Sequence, residues 1–250
     1  MTGIKATLIN ELEKLYKNKK VLIVAILSII FIILGQVFIL VVRNNFGLRG
    51  VSSTEFSLLV LSVFINTLLP LLIALITIDS FSGESSHNTM KICLTKPISR
   101  LKLFIVKISA IIIIIFITLM IIMVFSIISG LIFNANSFTW ENIIKIVISY
   151  IVTLIPMIIL CLMIVLFTNI LKSGIAVFFL SVLVFISFKV LAIFFPSYSG
   201  ILFTSIMGWH TLWIMDNIPF IKVFRNFIMM LSYIIILFTT AYYMFDKKDF

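Results

Sequence analysis

Long runs of apolar residues are the feature that most constrains how this chain can fold. The run from Leu103 to Phe133 contains one charged residue, Lys107. About 20 apolar residues in a helix are enough to cross a hydrocarbon core of about 30 Å. The whole chain is 62% hydrophobic and 11% charged, whereas soluble domains carry about 25% charged residues. This composition excludes a soluble globular protein, because most of its apolar surface has only lipid to face.

Six such runs predict an all-α integral membrane protein with six transmembrane helices. Polar or turn-forming residues separate the runs, and no composition change marks a second domain, so we expect one transmembrane domain over residues 1–250. The predicted spans are residues 21–42, 56–78, 103–133, 142–170, 174–195 and 220–245. Because the third run is longer than a bilayer requires, its first turns, with Lys102 and Lys107, are expected to project into the cytoplasm.

Residues 2–20 precede the first span and predict an amphipathic helix on the bilayer surface. The apolar residues at helical spacing are Ile4, Leu8, Leu12, Leu15 and Tyr16, and the polar side is assigned Lys5, Glu11, Lys14 and Lys17. Residues 196–219 are too apolar for a free loop and too short for a span with turns. They predict short helices half-inserted at the outer face, with His210 near the outer surface.

The distribution of basic residues predicts the orientation. With both termini inside, thirteen of the 19 Lys and Arg residues fall on the cytoplasmic side, as the positive-inside rule requires. The net charge of +10 therefore reflects topology and contact with lipid headgroups rather than binding of nucleic acid. We expect a multi-pass protein of the bacterial cytoplasmic membrane with both termini in the cytosol.

The longest polar interruption after the N-terminus is the predicted cytoplasmic loop of residues 79–102. Asn88 is a suitable N-cap, and Met90, Cys93, Leu94 and Pro97 then follow at the spacing of one helical face. A short amphipathic helix between two spans is suited to docking into a groove on a soluble partner.

The order of residues in and around this loop resembles the signature of ABC-2 type transporter permeases. The matching residues are Asp79, Phe81, Glu84, Thr89, Leu94, Pro97, Ser99, Arg100 and Lys107, with Asn88 where the family often has glycine. The resemblance implies that the loop is a coupling helix contacting an ABC ATPase subunit. The residues it assigns to this contact are Glu84, Asn88, Thr89, Met90, Lys91, Cys93, Leu94, Pro97 and Arg100.

The resemblance also bears on assembly and cargo. Two copies, or one copy and a sister permease, would enclose the transport path. Short permeases of this composition are similar to bacterial exporters of amphipathic or antibiotic peptides, such as phenol-soluble modulin exporters. Export of a drug, a lipid or sodium stays open, as does a membrane immunity or peptide-binding protein that does not transport, or an insertase-like scaffold.

The sequence lacks the residues that ATP hydrolysis or membrane catalysis would need. No glycine is followed by lysine, so the chain has no Gly-x-x-x-x-Gly-Lys-Ser/Thr phosphate loop. ATP and Mg²⁺ are expected on the partner subunit, with no cofactor, metal or catalytic residue on this chain. Lys189 is the one charge far inside a predicted span. It either contacts an acidic group of the cargo in the path or extends its stem to the outer interface, which the short distance to Pro196 favours.

Overall fold

The structure is a computed structural model that describes residues 2–17, 19–46, 52–83, 99–133, 139–171, 173–215 and 217–248. Within these residues all regular secondary structure is helical. Four helical stretches are long and apolar enough to cross a membrane, or five if one bent pair counts as a single span. In a further helix the described apolar stretch is Ala25–Val41. The all-helical membrane architecture is therefore confirmed, while the full six-span layout stays a prediction.

Helix α1, Thr2–Tyr16, packs against the third predicted span. Its buried face contains Thr7, Glu11 and Leu15, which follow one another at intervals of four residues and so lie on one side of a helix. The assignment of Glu11 to the polar side was therefore wrong. A carboxylate counts as polar in a hydropathy pattern, but here it faces a buried cation.

Helix α2, Lys19–Phe46, contains the first predicted span, and the second predicted span is divided in two. Its first part is α3, Ser53–Asn66, which begins with a capping box: the side chains of Ser52 and Glu55 each accept from the other residue's backbone N–H. Helix α4, Leu68–Ile78, continues at an angle of 45°. The break has a local cause: Pro70 has no N–H to donate to the carbonyl of Asn66, and its ring disfavours a straight helix at that point.

A π-helical turn, Asp79–Gly83, follows α4 directly. After it, the described chain resumes with α5, Arg100–Phe133, which is about 51 Å long at about 1.5 Å per residue. The first turns of α5 are covered on one side, where Leu103, Phe104, Val106 and Lys107 are buried, while Leu101 and Ile105 are exposed. The extra length of α5 packs against α1, and the projection of these turns into the cytoplasm stays a prediction.

The fourth predicted span consists of α6, Trp140–Val152, and α7, Leu154–Ile170. They are separated at Thr153, three residues before Pro156. Tyr150 on α6 joins three helices, since its hydroxyl lies 3.1 Å from both the Ser57 carbonyl on α3 and Ser126 Oγ on α5. Helix α7 is the central helix, with most of its residues buried between α4, α5, α8 and α10.

Two further spans complete the bundle: α8, Gly174–Phe194, and α10, Phe220–Asp246. Between them lie a 3₁₀ helix at Pro196–Ile201, the short α9 at Phe203–Ile206, and a second 3₁₀ helix at Met207–Trp213. Phe203, Ile206, Met207 and Trp209 are buried, and the indole N–H of Trp209 donates to the Val152 carbonyl at 3.1 Å. This connection is therefore packed onto α6 and α8 rather than free of the bundle.

Candidate functional site

The described residues on both sides of the 84–98 segment are fixed at one end of the bundle by polar contacts. On α5, Lys107 is 0% exposed. Its Nζ donates to Glu11 Oε2 at 3.1 Å and to the Ser80 carbonyl at 3.0 Å. Three parts of the chain thus meet at one ammonium group: α1, the π-helical turn and α5.

Burial raises the free-energy cost of breaking this contact. A charged group removed from water needs an opposite charge and hydrogen bonds, or its desolvation is uncompensated. Glu11 is 6% exposed, so both members of the pair are shielded from solvent. Phe81 covers the site further, with the Lys107 Nζ 5.8 Å from its ring centroid. Movement of α1 away from α5 would break the ion pair between Glu11 and Lys107.

The π-helical turn lies directly before the segment, and Ser80, Phe81 and Ser82 in it are buried. Such wide turns occur mostly as single turns within α-helices and are frequent at functional sites. The start of α8 packs closely on this region. A Cβ added at Gly174 would lie 2.9 Å from Ile78 Cγ2, which is closer than two carbon atoms can approach without a shift. Glycine at 174 therefore permits the close approach of α8.

After the segment, Arg100 contacts the end of the last helix. Its Nη1 donates to the carbonyl of Asp246 and, at 3.4 Å, to that of Lys248. The last carbonyls of a helix lack partners within the helix and carry partial negative charge, so a guanidinium is a favourable partner there. Lys248 in turn donates from Nζ to the Thr168 carbonyl near the end of α7 at 3.0 Å.

Aromatic side chains fill the space between these polar contacts. The ring centroids of neighbouring members lie 5.2–6.1 Å apart, mostly in edge-to-face or tilted arrangements that are favourable for aromatic pairs. The members of this aromatic cluster are Phe81, Phe104, Phe238, Tyr242 and Phe245. The π-helical turn, α5 and α10 are therefore packed together as well as hydrogen-bonded.

Of the residues assigned to ATPase contact, Arg100 is the one that the structure describes. The other assigned residues lie outside the described ranges: Glu84, Asn88, Thr89, Met90, Lys91, Cys93, Leu94 and Pro97. Sequence reasoning missed Glu11 and Ser80. The signal for Glu11 was its position three residues after Leu8 and four before Leu15, which are both on the apolar stripe of α1.

Lys189 on α8 lies at a second, separate site. Its Nζ donates to Asn66 Oδ1 at 2.6 Å, beside the break between α3 and α4, and lies 5.0 Å from the centroid of the Phe185 ring. Both interpretations of Lys189, contact with cargo and extension of the stem to the outer interface, stay predictions. The Asn66 amide nitrogen donates to the Ser62 carbonyl at 2.7 Å, which orients the amide oxygen towards Lys189.

His210 is buried within the protein, and its position near the outer face of the membrane stays a prediction. It is 2% exposed, and its Nε2 is 3.5 Å from Ser62 Oγ on α3. Burial lowers the pKa of His210 below its ordinary value of 6.5, because the imidazolium would lose hydration, while a backbone contact at Met207 opposes the shift. The neutral imidazole is thus favoured and holds the connection between α8 and α10 against α3.

Comparison with known protein families matches most of the chain. A search of curated proteins finds no match to the chain. The family model described as ABC-2 family transporter protein matches residues 7–189. This range begins in α1, includes Glu11 and Lys107, and ends at Lys189 in α8. The chain, a helical multi-pass membrane protein, belongs to the ABC-2 family of transporter proteins.

Proposed function

We propose that this chain is the permease subunit of an ATP-driven ABC exporter, in which a separate ABC ATPase subunit binds ATP and Mg²⁺ and docks on the 84–98 segment. Membership of the ABC-2 family supports a membrane permease with an ABC ATPase partner. Within this chain no glycine precedes a lysine, so it supplies no phosphate loop of its own.

One observation carries the proposal: the flanks of the segment are joined to separate helices by directional contacts. The Ser80 carbonyl and Lys107 connect the preceding flank to α1 and α5, and Arg100 connects the following flank to the end of α10. A displacement of the segment by a nucleotide-driven partner would therefore reach α1, α5 and α10 together. Such a displacement could shift the bundle between two packed arrangements.

The assembly we propose has two permeases and two ATPase subunits. Two copies of this chain, or one copy and a sister permease, enclose the path, with both termini and the 84–98 segment on the cytoplasmic side of a bacterial membrane. The excess of Lys and Arg in the segments assigned to that side supports this orientation. Lys189 is the candidate path contact, because its ammonium group lies in a cleft beside a broken span, where transporters place binding groups.

For the cargo we propose amphipathic peptides of the antimicrobial type. A groove of about 1020 Å³ supports this choice. It lies between α10 and the 3₁₀ helix at Met207–Trp213, and its lining is mostly apolar and aromatic, with Trp209, Trp213, Phe224 and Arg225 among its residues. Aromatic and basic groups together suit an amphipathic chain at a membrane interface. Drug, lipid or sodium cargo, or peptide binding without transport, are the competing outcomes of the test.

The test uses the permease co-expressed with an ABC ATPase, purified and reconstituted in liposomes. The measurement is ATPase rate and peptide release as amphipathic peptide is added, with a small cationic drug as the comparison cargo. We expect Leu94→Asp to abolish peptide stimulation of the ATPase, because it places a charge on the predicted docking face. Ile92→Asp is the matched control, since helical spacing places Ile92 off that face.

The outcomes separate the alternatives. Transport by the permease without any ATPase, or normal coupling in Leu94→Asp, would contradict the docking assignment. Stimulation by the drug but not by peptide would retain the permease assignment and reject the cargo. Peptide binding with no ATPase retained during purification would favour a peptide-binding protein that does not transport.

A further inference from the structure

The cleft that contains Lys189 has the size and lining of a small-ligand site. It encloses about 350 Å³ between α4, α7 and α8, within the usual range of about 300–1,000 Å³ for ligand pockets. Its walls are mainly apolar, with Pro70, Leu71, Ala74, Met163, Val182 and Ile186 among the lining residues. Among the described residues of this lining, Lys189 is the cation and none is a carboxylate.

The described contact of Lys189 fixes the position of its ammonium group but does not neutralise its charge. Asn66 Oδ1 accepts one hydrogen bond at 2.6 Å, whereas an ammonium group has three donors. An amide oxygen carries no net charge, so the contact fixes the position of the cation without cancelling it. A cation beside apolar walls at membrane depth attracts an anionic partner more strongly than the same group in water.

We propose that this cleft binds a single-chain amphiphile with a carboxylate head group, such as a fatty acid, with the carboxylate at Lys189 and the chain along the apolar walls. The inference goes beyond the proposed function, because it does not require the cleft to be part of the peptide path. Binding itself requires neither ATP nor the ATPase, so the two proposals can fail separately.

The lining suits a single unbranched chain. Pro70, Ala74 and Ile186 offer such a chain contacts without polar groups, and Lys189 is placed to hold its charged head group.

The charge argues against a second copy of this chain as the occupant. In a two-fold symmetric dimer the same patch lies on both sides of the interface. Closing the cleft against its own copy would therefore bring two Lys189 ammonium groups together, and like charges in an apolar setting repel. A carboxylate removes this difficulty, because it supplies the charge that the cleft lacks.

The experiment measures labelling of the purified chain, without ATP or ATPase, in nanodiscs of phosphatidylcholine. The probes are a twelve-carbon fatty acid with a terminal diazirine and the corresponding alcohol, and the labelled residues are located by peptide mass spectrometry. We expect the fatty acid to label the lining of the cleft on α4 or α8 and the alcohol to label it about tenfold less. A charge-assisted hydrogen bond of about 1.5 kcal/mol corresponds to this ratio.

Variants test the role of the charge. Lys189→Met keeps the apolar stem and should reduce fatty acid labelling of the cleft about tenfold, whereas Lys189→Arg should retain it. Lys222→Met, on α10 and outside the cleft lining, is the matched control and should leave labelling unchanged. Circular dichroism and size-exclusion elution of each variant verify that its fold is intact.

Three results would overturn the proposal. The first is equal labelling by the acid and the alcohol, and the second is unchanged labelling in Lys189→Met. The third is copy-to-copy disulfide formation by Ile186→Cys in a Cys93→Ser/Cys161→Ala background, since a residue of the cleft lining would then face a second copy. Absence of that disulfide, with labelling that depends on Lys189, supports the ligand site.

Discussion

Replacing Glu11 with leucine should destabilise the protein by about 3–5 kcal/mol, the usual cost of removing one partner from a buried ion pair. The structure supports this magnitude. Glu11 Oε2 and Lys107 Nζ lie 3.1 Å apart, with Glu11 6% and Lys107 0% exposed. At an effective dielectric constant of about 20, two unit charges at this distance attract by about 5 kcal/mol. After the substitution, the buried ammonium retains the Ser80 carbonyl but loses the Glu11 carboxylate.

The assay is thermal unfolding in detergent, followed by circular dichroism. For a chain of 150–250 residues, about 1 kcal/mol shifts Tm by about 2–4 °C, so Glu11→Leu should lower Tm by about 6–20 °C. The same helix supplies the control. Glu13 pairs with Lys17 at 3.8 Å, but these side chains are 61% and 79% exposed. Glu13→Leu should therefore change stability by only about 0.2–0.5 kcal/mol.

The double variant Glu11→Leu/Lys107→Met completes the design. An apolar pair can replace a buried ion pair at little or no cost, so the double variant should recover most of the lost stability. The difference between the double variant and the sum of the single variants then measures the coupling between the two residues. If Glu11→Leu lowered Tm no more than Glu13→Leu, the pair would not be buried in the native protein, and the link from α1 to α5 would have to be abandoned.

Three further outcomes follow from contacts elsewhere in the bundle. Gly174→Leu should disrupt the packing of α8, because even a Cβ would lie 2.9 Å from Ile78 Cγ2. Gly35→Ala is the control, since a Cβ there meets no described atom within 4 Å beyond its chain neighbours and nearby helix backbone, and both variants are compared by size-exclusion chromatography. Tyr150→Phe should cost about 0.5–1.5 kcal/mol by thermal unfolding, since its hydroxyl contacts two other helices at 3.1 Å; an unchanged Tm would mean that these contacts contribute nothing. Burial lowers the pKa of His210 from 6.5, so the stability this residue contributes is complete above pH about 6.5 and is lost as pH falls towards the lowered value. His210→Leu should flatten that part of the Tm–pH curve, and an identical curve would refute the assignment of this pH dependence to His210.

Much of the fold could be predicted from the sequence because membrane insertion depends on local composition. Runs such as 103–133 and 174–195 contain too few polar residues for a water-exposed segment, and helices α5 and α8 form there. Proline acts locally as well: the fourth span is interrupted at Thr153, three residues before Pro156, and the second span bends between Asn66 and Leu68, just before Pro70.

The candidate site depended on partners that are distant in sequence. Glu11 and Lys107 are 96 positions apart, and Asn66 and Lys189 are 123 apart. Periodicity assigns a residue to one side of its own helix, but it does not show what that side will face. Glu11 was therefore placed with the solvent-facing lysines of α1, and no pattern linked Lys189 to Asn66.

The sequence by itself determined that this chain is a helical membrane protein without a phosphate loop, since composition and motif chemistry need no three-dimensional information. Only the tertiary structure decided that Lys107 is a buried partner of Glu11 and that Arg100 contacts the end of α10. The physical reason is that hydropathy measures the cost of leaving water, whereas the position of a charge depends on whether a distant group compensates that cost.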